Sequence, residues 1–335
     1  MRVRNQPNSV TPRAGLGWVG LVGLFVRRGY KVVDHRYPRD YAAVAAGKRN
    51  CLDPATHPFH RGTELHTLQS ATKSVMATVL GAAIHEGAVE GVDALLVLAL
   101  GQYAPDRPDP QLARATVADL LTMRTGIEWH EQDRPLDSTN TTLQLEASPD
   151  WVGFTLAQPM DAEPGARWVY NSGGSHLMGA VIAAATGASP AEYARRRVFE
   201  PLGIETFHWK TAGGGLPDGE GGLYLSAESL AKIGYLYLRG GIWDGRRILP
   251  AEWARAATSR MVERGVPNGW GYGYQWWRVD SGGVEVWAAL GFGGQFMLVV
   301  PAADLVVVSL AWNVYGDAAP ALLGPLLQAS VGAAR

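Results

Sequence analysis

Ser70 and Lys73 stand three residues apart at the head of Gln69-Ser70-Ala71-Thr72-Lys73-Ser74-Val75-Met76-Ala77-Thr78-Val79-Leu80, a stretch rich in Ala, Leu, Met and Val and almost free of charge. So little polarity predicts a helix from Ser70 that is buried rather than laid on a surface, with Gly87 placed to end it in a left-handed C-cap. Positions i and i+3 share one helical face, so the Lys73 amine can reach the Ser70 hydroxyl. The helix N-terminus adds partial positive charge and free N–H groups beside that hydroxyl. A nucleophile, a candidate base and an anion-stabilising dipole therefore meet at one point, which is what acyl transfer requires.

A lone Ser-x-x-Lys is weak, and the chain has a second copy, Ser229-Leu230-Ala231-Lys232. That copy reads as an ordinary helix start capped by Ser226. Ser70 gains weight from Pro164-Gly165-Ala166-Arg167-Trp168-Val169-Tyr170-Asn171-Ser172-Gly173-Gly174, where Tyr170 lies in a loop directly before an apolar helix. A phenol there can meet Lys73 across a seam, or it can simply pack its ring and bond its hydroxyl to backbone. Ser172 can cap the helix that follows.

The elements that would position these groups are legible in outline. Pro7 and Pro12 break up the start of the chain, and Gly15-Leu16-Gly17-Trp18-Val19-Gly20 imitates a dinucleotide fingerprint. A crossover helix does not fit between Gly20 and Gly29, so the reading is a strand to about Val26, a turn at Arg27–Tyr30 and a return strand from Lys31 to Tyr37. Pro38 to Glu64 is irregular. From Gly91 to about Gly215 the pattern is helical in short pieces. Thr116 and Asp119 form a capping box, Ser148 caps a short helix through Trp151, Leu177–Ala185 is closed by Gly187, and Ser189-Pro190-Ala191-Glu192 opens another helix. After Gly213–Gly222, Ser226 caps a helix reaching Tyr237 and Pro250 opens the next. Tyr272–Arg278, Val284–Ala288, Gln295–Val300 and Leu305–Ala311 then read as strands, and a last helix runs from about Ala318 to Val331. The expected fold class is α+β: an antiparallel sheet flanked by helices, made by residues 1–88 and 223–335, with an all-helical inserted domain at 89–222 and the Ser70 helix at the seam.

Composition excludes other classes. Of 335 residues, 47% are hydrophobic and 18% charged, and the net charge of −1 leaves no basic stripe for nucleic acid. The single Cys51 allows no intramolecular disulfide. His57 and His60 flank Pro58, there is no His-Glu-x-x-His, and no metal site or cofactor is expected. Arg2, Arg4 and Arg13 before the apolar run Gly15–Val26 imitate a secretory signal, but Arg27-Arg28 follow without a small-residue cleavage site and the run is too short to span a bilayer. A cytoplasmic location is expected, a secreted or periplasmic one is the alternative, and no transmembrane segment is expected. Gly173-Gly174-Ser175-His176-Leu177 lacks the final Gly of a nucleophile elbow.

Ser70-Ala71-Thr72-Lys73 followed by Tyr170-Asn171-Ser172 resembles the serine hydrolases of the class C β-lactamase family, which includes penicillin-binding carboxypeptidases, esterases and oligomeric-amide hydrolases. Three further stretches are similar to that family: Asp119-Leu120-Leu121-Thr122-Met123-Arg124-Thr125-Gly126-Ile127, Val198-Phe199-Glu200-Pro201-Leu202-Gly203-Ile204 and Gly271-Tyr272-Gly273-Tyr274-Gln275-Trp276-Trp277. The resemblance implies the fold named above and an acyl-enzyme on Ser70, with Lys73 and Tyr170 as catalytic partners and a small-molecule ester or amide as substrate. A β-lactamase or D-alanyl-D-alanine carboxypeptidase is the alternative, and an inactive penicillin-binding-like module is the non-enzymatic one. Oligomeric state stays open. Unperturbed Lys and Tyr titrate near ~10.4 and ~10, so a Tyr170 phenolate beside ammonium Lys73, or neutral Lys73 beside neutral Tyr170, are two microstates of one coupled pair.

Two departures from the family matter. Its second motif is usually Tyr-x-Asn, and Ser172 stands in the third position with a shorter side chain and one donor. Its third motif usually begins with Lys or His, whereas Leu290-Gly291-Phe292-Gly293-Gly294-Gln295 has no cation, and neither has the other candidate register, Trp287-Ala288-Ala289. The resemblance makes Ser172, Phe292, Gly293, Gly294 and Gln295 the substrate-binding and oxyanion candidates, with the oxyanion held by the Ser70 N–H and a strand N–H near Gln295. The glycines fit a close backbone approach to substrate, the favoured reading, or a tight turn. Without the cation the site is expected to prefer neutral acyl groups, unless Arg278 reaches in from the neighbouring strand.

Overall fold

A computed structural model describes residues 65–310, the strands at 24–26 and 31–33, and residues 323–324 and 327–328. The Gly15–Gly20 stretch, Cys51, His57 and His60 lie outside the described residues. Strands β1 (Leu24–Val26) and β2 (Lys31–Val33) pair antiparallel. The short β3 (His66–Thr67) then leads into helix α1 (Ala71–His85).

Every residue of α1 from Ala71 to Ala83 is buried, as its lack of charge predicts, and Gly87 follows with a φ of 74°. Helices α2 (Leu96–Ala99), α3 (Val117–Leu121), α4 (Thr141–Ala147), α5 (Trp151–Leu156), α6 (Ser172–Thr186) and α7 (Pro190–Ala194) follow. The Thr116–Asp119 capping box closes reciprocally. Two caps fall elsewhere than expected. Asp150, not Ser148, accepts from the Gly153 N–H to start α5, because a carboxylate one residue from the helix outcompetes a hydroxyl three away; Ser148 ends α4 instead. Ser189 opens α7 without a side-chain bond, leaving Pro190 at the first helical position to do it.

The chain returns through β4 (His208–Trp209), which pairs with β5 (Leu223–Leu225), which pairs with β3. This small three-stranded sheet, too short to show a period in sequence, stitches the chain after α7 to the residues just before Ser70. Ser226 caps α8 (Ala227–Leu238), and Pro250 precedes α9 (Ala251–Ala257); the ribbon β6 (Ile242–Trp243) and β7 (Arg246–Arg247) lies between them.

The main sheet is antiparallel in the order β12-β11-β10-β9-β8, with β8 at Gly271–Tyr272, β9 at Trp277–Ser281, β10 at Val284–Gly291, β11 at Gln295–Val300 and β12 at Leu305–Ser309; β1 runs beside β12. The expected strand Tyr272–Arg278 is broken, because Gln275 takes a φ of 60° that no strand tolerates. Alternation along the strands divides the core. Ala289, Met297, Val299, Val306 and Val308 pack with α1 and α8, while Val286, Ala288, Leu298, Val300 and Val307 pack with Leu323 and Leu327 on the other face. Both faces are covered, which is why β11 and β12 are buried throughout. Among the described residues no helix is long and apolar enough to cross a membrane.

Candidate active site

Ser70 is the N-cap of α1, a position where a serine ordinarily bonds the second or third helical N–H. Its side chain makes no such bond. Its Oγ instead accepts from Lys73 Nζ at 3.0 Å, the i,i+3 contact the spacing predicts. Gln69, just before it, is held at a φ of 47°, an uncommon conformation for a side-chain-bearing residue, with its amide on Thr67 Oγ1 at 3.0 Å. Ser70 is partly exposed, while the Lys73 side chain keeps only 2% of its surface.

Tyr170 reaches the same point from the loop before α6. Lys73 Nζ sits 5.3 Å from its ring centroid, and the Ser70 hydroxyl beside the phenol favours its ionised form. The ring stacks on Trp277 at 5.9 Å and lies beside Trp168, so β9 and the loop clamp it from behind. Asn171 is the N-cap of α6, its Oδ1 taking the Gly174 N–H at 2.6 Å. That removes Ser172 from both roles considered for it. It is the first residue of the helix, fully buried, and Glu131 takes its hydroxyl at 2.8 Å and its N–H at 3.0 Å. As placed, Ser172 does not face a substrate.

Two carboxylates escaped the sequence reading. Glu131, from the loop before α4, also accepts from Trp129 Nε1 at 3.0 Å. Glu220, in the Gly-rich link before β5, offers Lys73 Nζ its carbonyl at 2.8 Å and its carboxylate at 3.2 Å. Neither belongs to a periodic pattern or a motif; the one available signal was an acidic run, Asp218-Gly219-Glu220, inside glycines.

These charges set the protonation of the pair. Burial alone would drive Lys73 toward the neutral amine, but Tyr170 (when ionised), Glu220 and Glu131 outweigh it and hold the ammonium above the usual lysine range. Burial pushes the Tyr170 phenol up, Glu131 and Glu220 push the same way, and Lys73 and the Ser70 hydroxyl only partly offset them. Both directions favour the form with both protons, ammonium beside phenol, and loss of one proton from it gives either of the two microstates considered from sequence.

The β10–β11 hairpin forms the opposite wall. Gly291 is the point of close approach: a Cβ there would lie 2.2 Å from Leu68 O and 3.2 Å from Ala71 N, so only glycine lets this strand meet the start of α1. Gly293 and Gly294, with φ of 82° and 95°, make the turn instead. The close approach at Gly291 is thus to the start of α1 and not to a substrate, and Gly293 and Gly294 follow the tight-turn reading. Phe292 is half exposed at the hairpin tip, and Gln295 is buried opposite Gly291 with its amide on Phe292 O at 3.3 Å. Trp287 is paired across from Arg278, on the sheet face opposite to Tyr170, which excludes the Trp287-Ala288-Ala289 register. Arg278 is bound there to Glu285 at 2.5 Å and does not reach Ser70. The second Ser-x-x-Lys is used otherwise: Ser229 Oγ bonds Ser226 Oγ at 2.9 Å and Lys232 Nζ bonds Gly203 O at 2.8 Å.

Known proteins are similar to this chain in sequence and in fold. The chain is similar to a 6-aminohexanoate-dimer hydrolase of Paenarthrobacter ureafaciens, 24% identical over 268 residues, which are 73% of this chain and 66% of that protein. In fold it is similar to the penicillin binding protein from Bacillus halodurans, with a TM-score of 0.66 and 19% identity over 91% of this chain and 96% of that one. It is likewise similar to the D-stereospecific amidohydrolase from Streptomyces sp., with a TM-score of 0.64 and 19% identity over 89% of this chain and 92% of that one. The family model described as Beta-lactamase matches residues 13–329, nearly the whole chain. With that match joined to the expected α+β fold, the chain belongs to the β-lactamase family of hydrolases.

Proposed function

We propose that this protein is a serine hydrolase that forms an acyl-enzyme on Ser70 and cleaves esters or small amides. One observation carries the reading: Ser70 Oγ forgoes its cap bond and lies 3.0 Å from Lys73 Nζ at the head of a buried helix, with the Tyr170 ring 5.3 Å from the same amine. The reactive form is the one in which the coupled Lys73–Tyr170 pair has lost one proton: the pair takes the Ser70 proton as Oγ attacks the carbonyl carbon, and returns it to the leaving nitrogen or oxygen as the intermediate collapses to the acyl-enzyme. The Lys73 ammonium stabilises the negative charge that develops on this path. The helix N-terminus with the Ser70 N–H, and the hairpin N–H near Gln295, are the oxyanion donors. Water then repeats the transfer in reverse, giving its proton to Tyr170 while Ser70 recovers one. The amide hydrolases among the similar proteins favour amides as one substrate class.

A serine-directed fluorophosphonate tests the nucleophile. Intact-protein mass is expected to show one adduct, absent in Ser70→Ala. An adduct that persists in that variant, or that maps to Ser229, overturns the reading.

A further inference from the structure

Lys73 has three N–H donors, and Glu220 meets two of them, through its main-chain carbonyl at 2.8 Å and its carboxylate at 3.2 Å; the third lies on Ser70 Oγ at 3.0 Å. The pair is enclosed, with 2% of the Lys73 side chain and 13% of the Glu220 side chain exposed. The loop that presents Glu220 is itself fixed: Asp218 Oδ1 accepts from the N–H of Glu220 and from that of Gly221, both at 3.0 Å. An enclosed ion pair adds little net stability, since desolvation of both ions offsets their attraction. This one has the candidate nucleophile as its remaining neighbour.

We propose that Glu220 is a positioning residue for acyl transfer: by occupying two donors of Lys73 it keeps the amine charged and aims the remaining N–H at Ser70 Oγ. The proposal rests on the reading of Ser70 as nucleophile. Tyr170 and Glu131 face Lys73 together with Glu220, while Asp218 and His176 face Glu220 from its own loop and from α6. Glu146 on α4 lies further out, its carboxyl pushed up to about 7 by desolvation and by the charge of Glu220, with Lys210 partly offsetting the shift. Of these carboxylates, Glu220 is the one bonded to the amine. The sign follows: its charge favours the ammonium, so removing it lets Lys73 lose its proton at lower pH.

Glu220→Gln keeps size and an acceptor oxygen but drops the charge, and Glu220→Asp keeps the charge on a shorter arm. Glu146→Gln removes a neighbouring charge without touching Lys73. For p-nitrophenyl butyrate at neutral pH, Glu220→Gln is expected to lower kcat about tenfold to a hundredfold with KM within about twofold. The alkaline limb of Ser70 labelling by fluorophosphonate should fall by about one pH unit. Glu220→Asp should recover part of both, and Glu146→Gln should behave as wild type. Unchanged kcat and limb in a folded Glu220→Gln, a loss confined to KM, or an equal shift in Glu146→Gln each overturns the positioning role. A wild-type protein that takes no label on Ser70 overturns the nucleophile reading itself, and this proposal with it.

Discussion

Ser70, Lys73 and Tyr170 share one proton path, and that has a measurable consequence. Lys73→Met leaves the developing charge unbalanced, and Tyr170→Phe removes the phenol that borders Lys73 Nζ. Each is expected to lower kcat about 10³–10⁴-fold, and the double variant little further, because residues acting as a unit are not additive. Losses that multiply would count against a coupled pair. These three residues were legible because two of them occupy one helical turn and the third sits in a recognisable segment. Glu131 and Glu220 were not, because a carboxylate in a loop carries no period. Glu220 contacts a residue 147 positions away, and nothing local encodes that meeting. Ser172 was misplaced for a related reason: it is Asn171 that caps α6, and only the fold reveals that Glu131 holds Ser172.

Two elements hold the site, and each does so through groups whose role is set by burial. Gln275 is the first. Its N–H bonds Leu121 O at 3.1 Å, its carbonyl takes Ser74 Oγ at 2.6 Å, and its side chain takes Ser175 Oγ at 2.8 Å, tying α1, α3 and α6 to the sheet. A strand pattern around it misled the sequence reading, since period alone does not reveal a positive φ. The long apolar α1 and the strands from Val284 onward were legible because they bury whole faces. Asp218 is the second. Burial first, then the charge of Glu220, pushes its carboxyl up to about 7, against an ordinary value of 3.8. Its folded-state pKa is raised, so the stability it contributes is full below the unfolded value and is lost as pH rises toward neutrality. Asp218→Asn keeps the oxygen that accepts from Glu220 and Gly221 but cannot ionise. Its melting temperature is expected to fall less than that of wild type between acidic and mildly alkaline pH. Parallel curves for the two proteins would show that Asp218 does not titrate in this window.

At the scale of the whole molecule, a net charge of −1 hides a polarised cleft. Lys73 is surrounded by Glu131, Glu220 and, further out, Glu146, while the hairpin wall from Leu290 to Gln295 brings no cation. Arg278, the one residue that threatened this argument from sequence, is on the far face of β9 and tied to Glu285. The remaining surface near Tyr170 is aromatic: Trp168, Trp277 and the half-buried Trp270 lie edge to face or tilted around one another. A substrate carboxylate entering here would lose water without gaining a cationic partner from the hairpin. Desolvating an unpaired carboxylate costs on the order of several kcal/mol. Neutral acyl groups escape that penalty and gain from burial against the rings. Penicillins and cephalosporins carry such a carboxylate, so p-nitrophenyl butyrate is expected to be cleaved with much higher kcat/KM than nitrocefin under identical conditions. A nitrocefin kcat/KM equal to or above that of the ester would mean that another group supplies the positive charge the hairpin lacks.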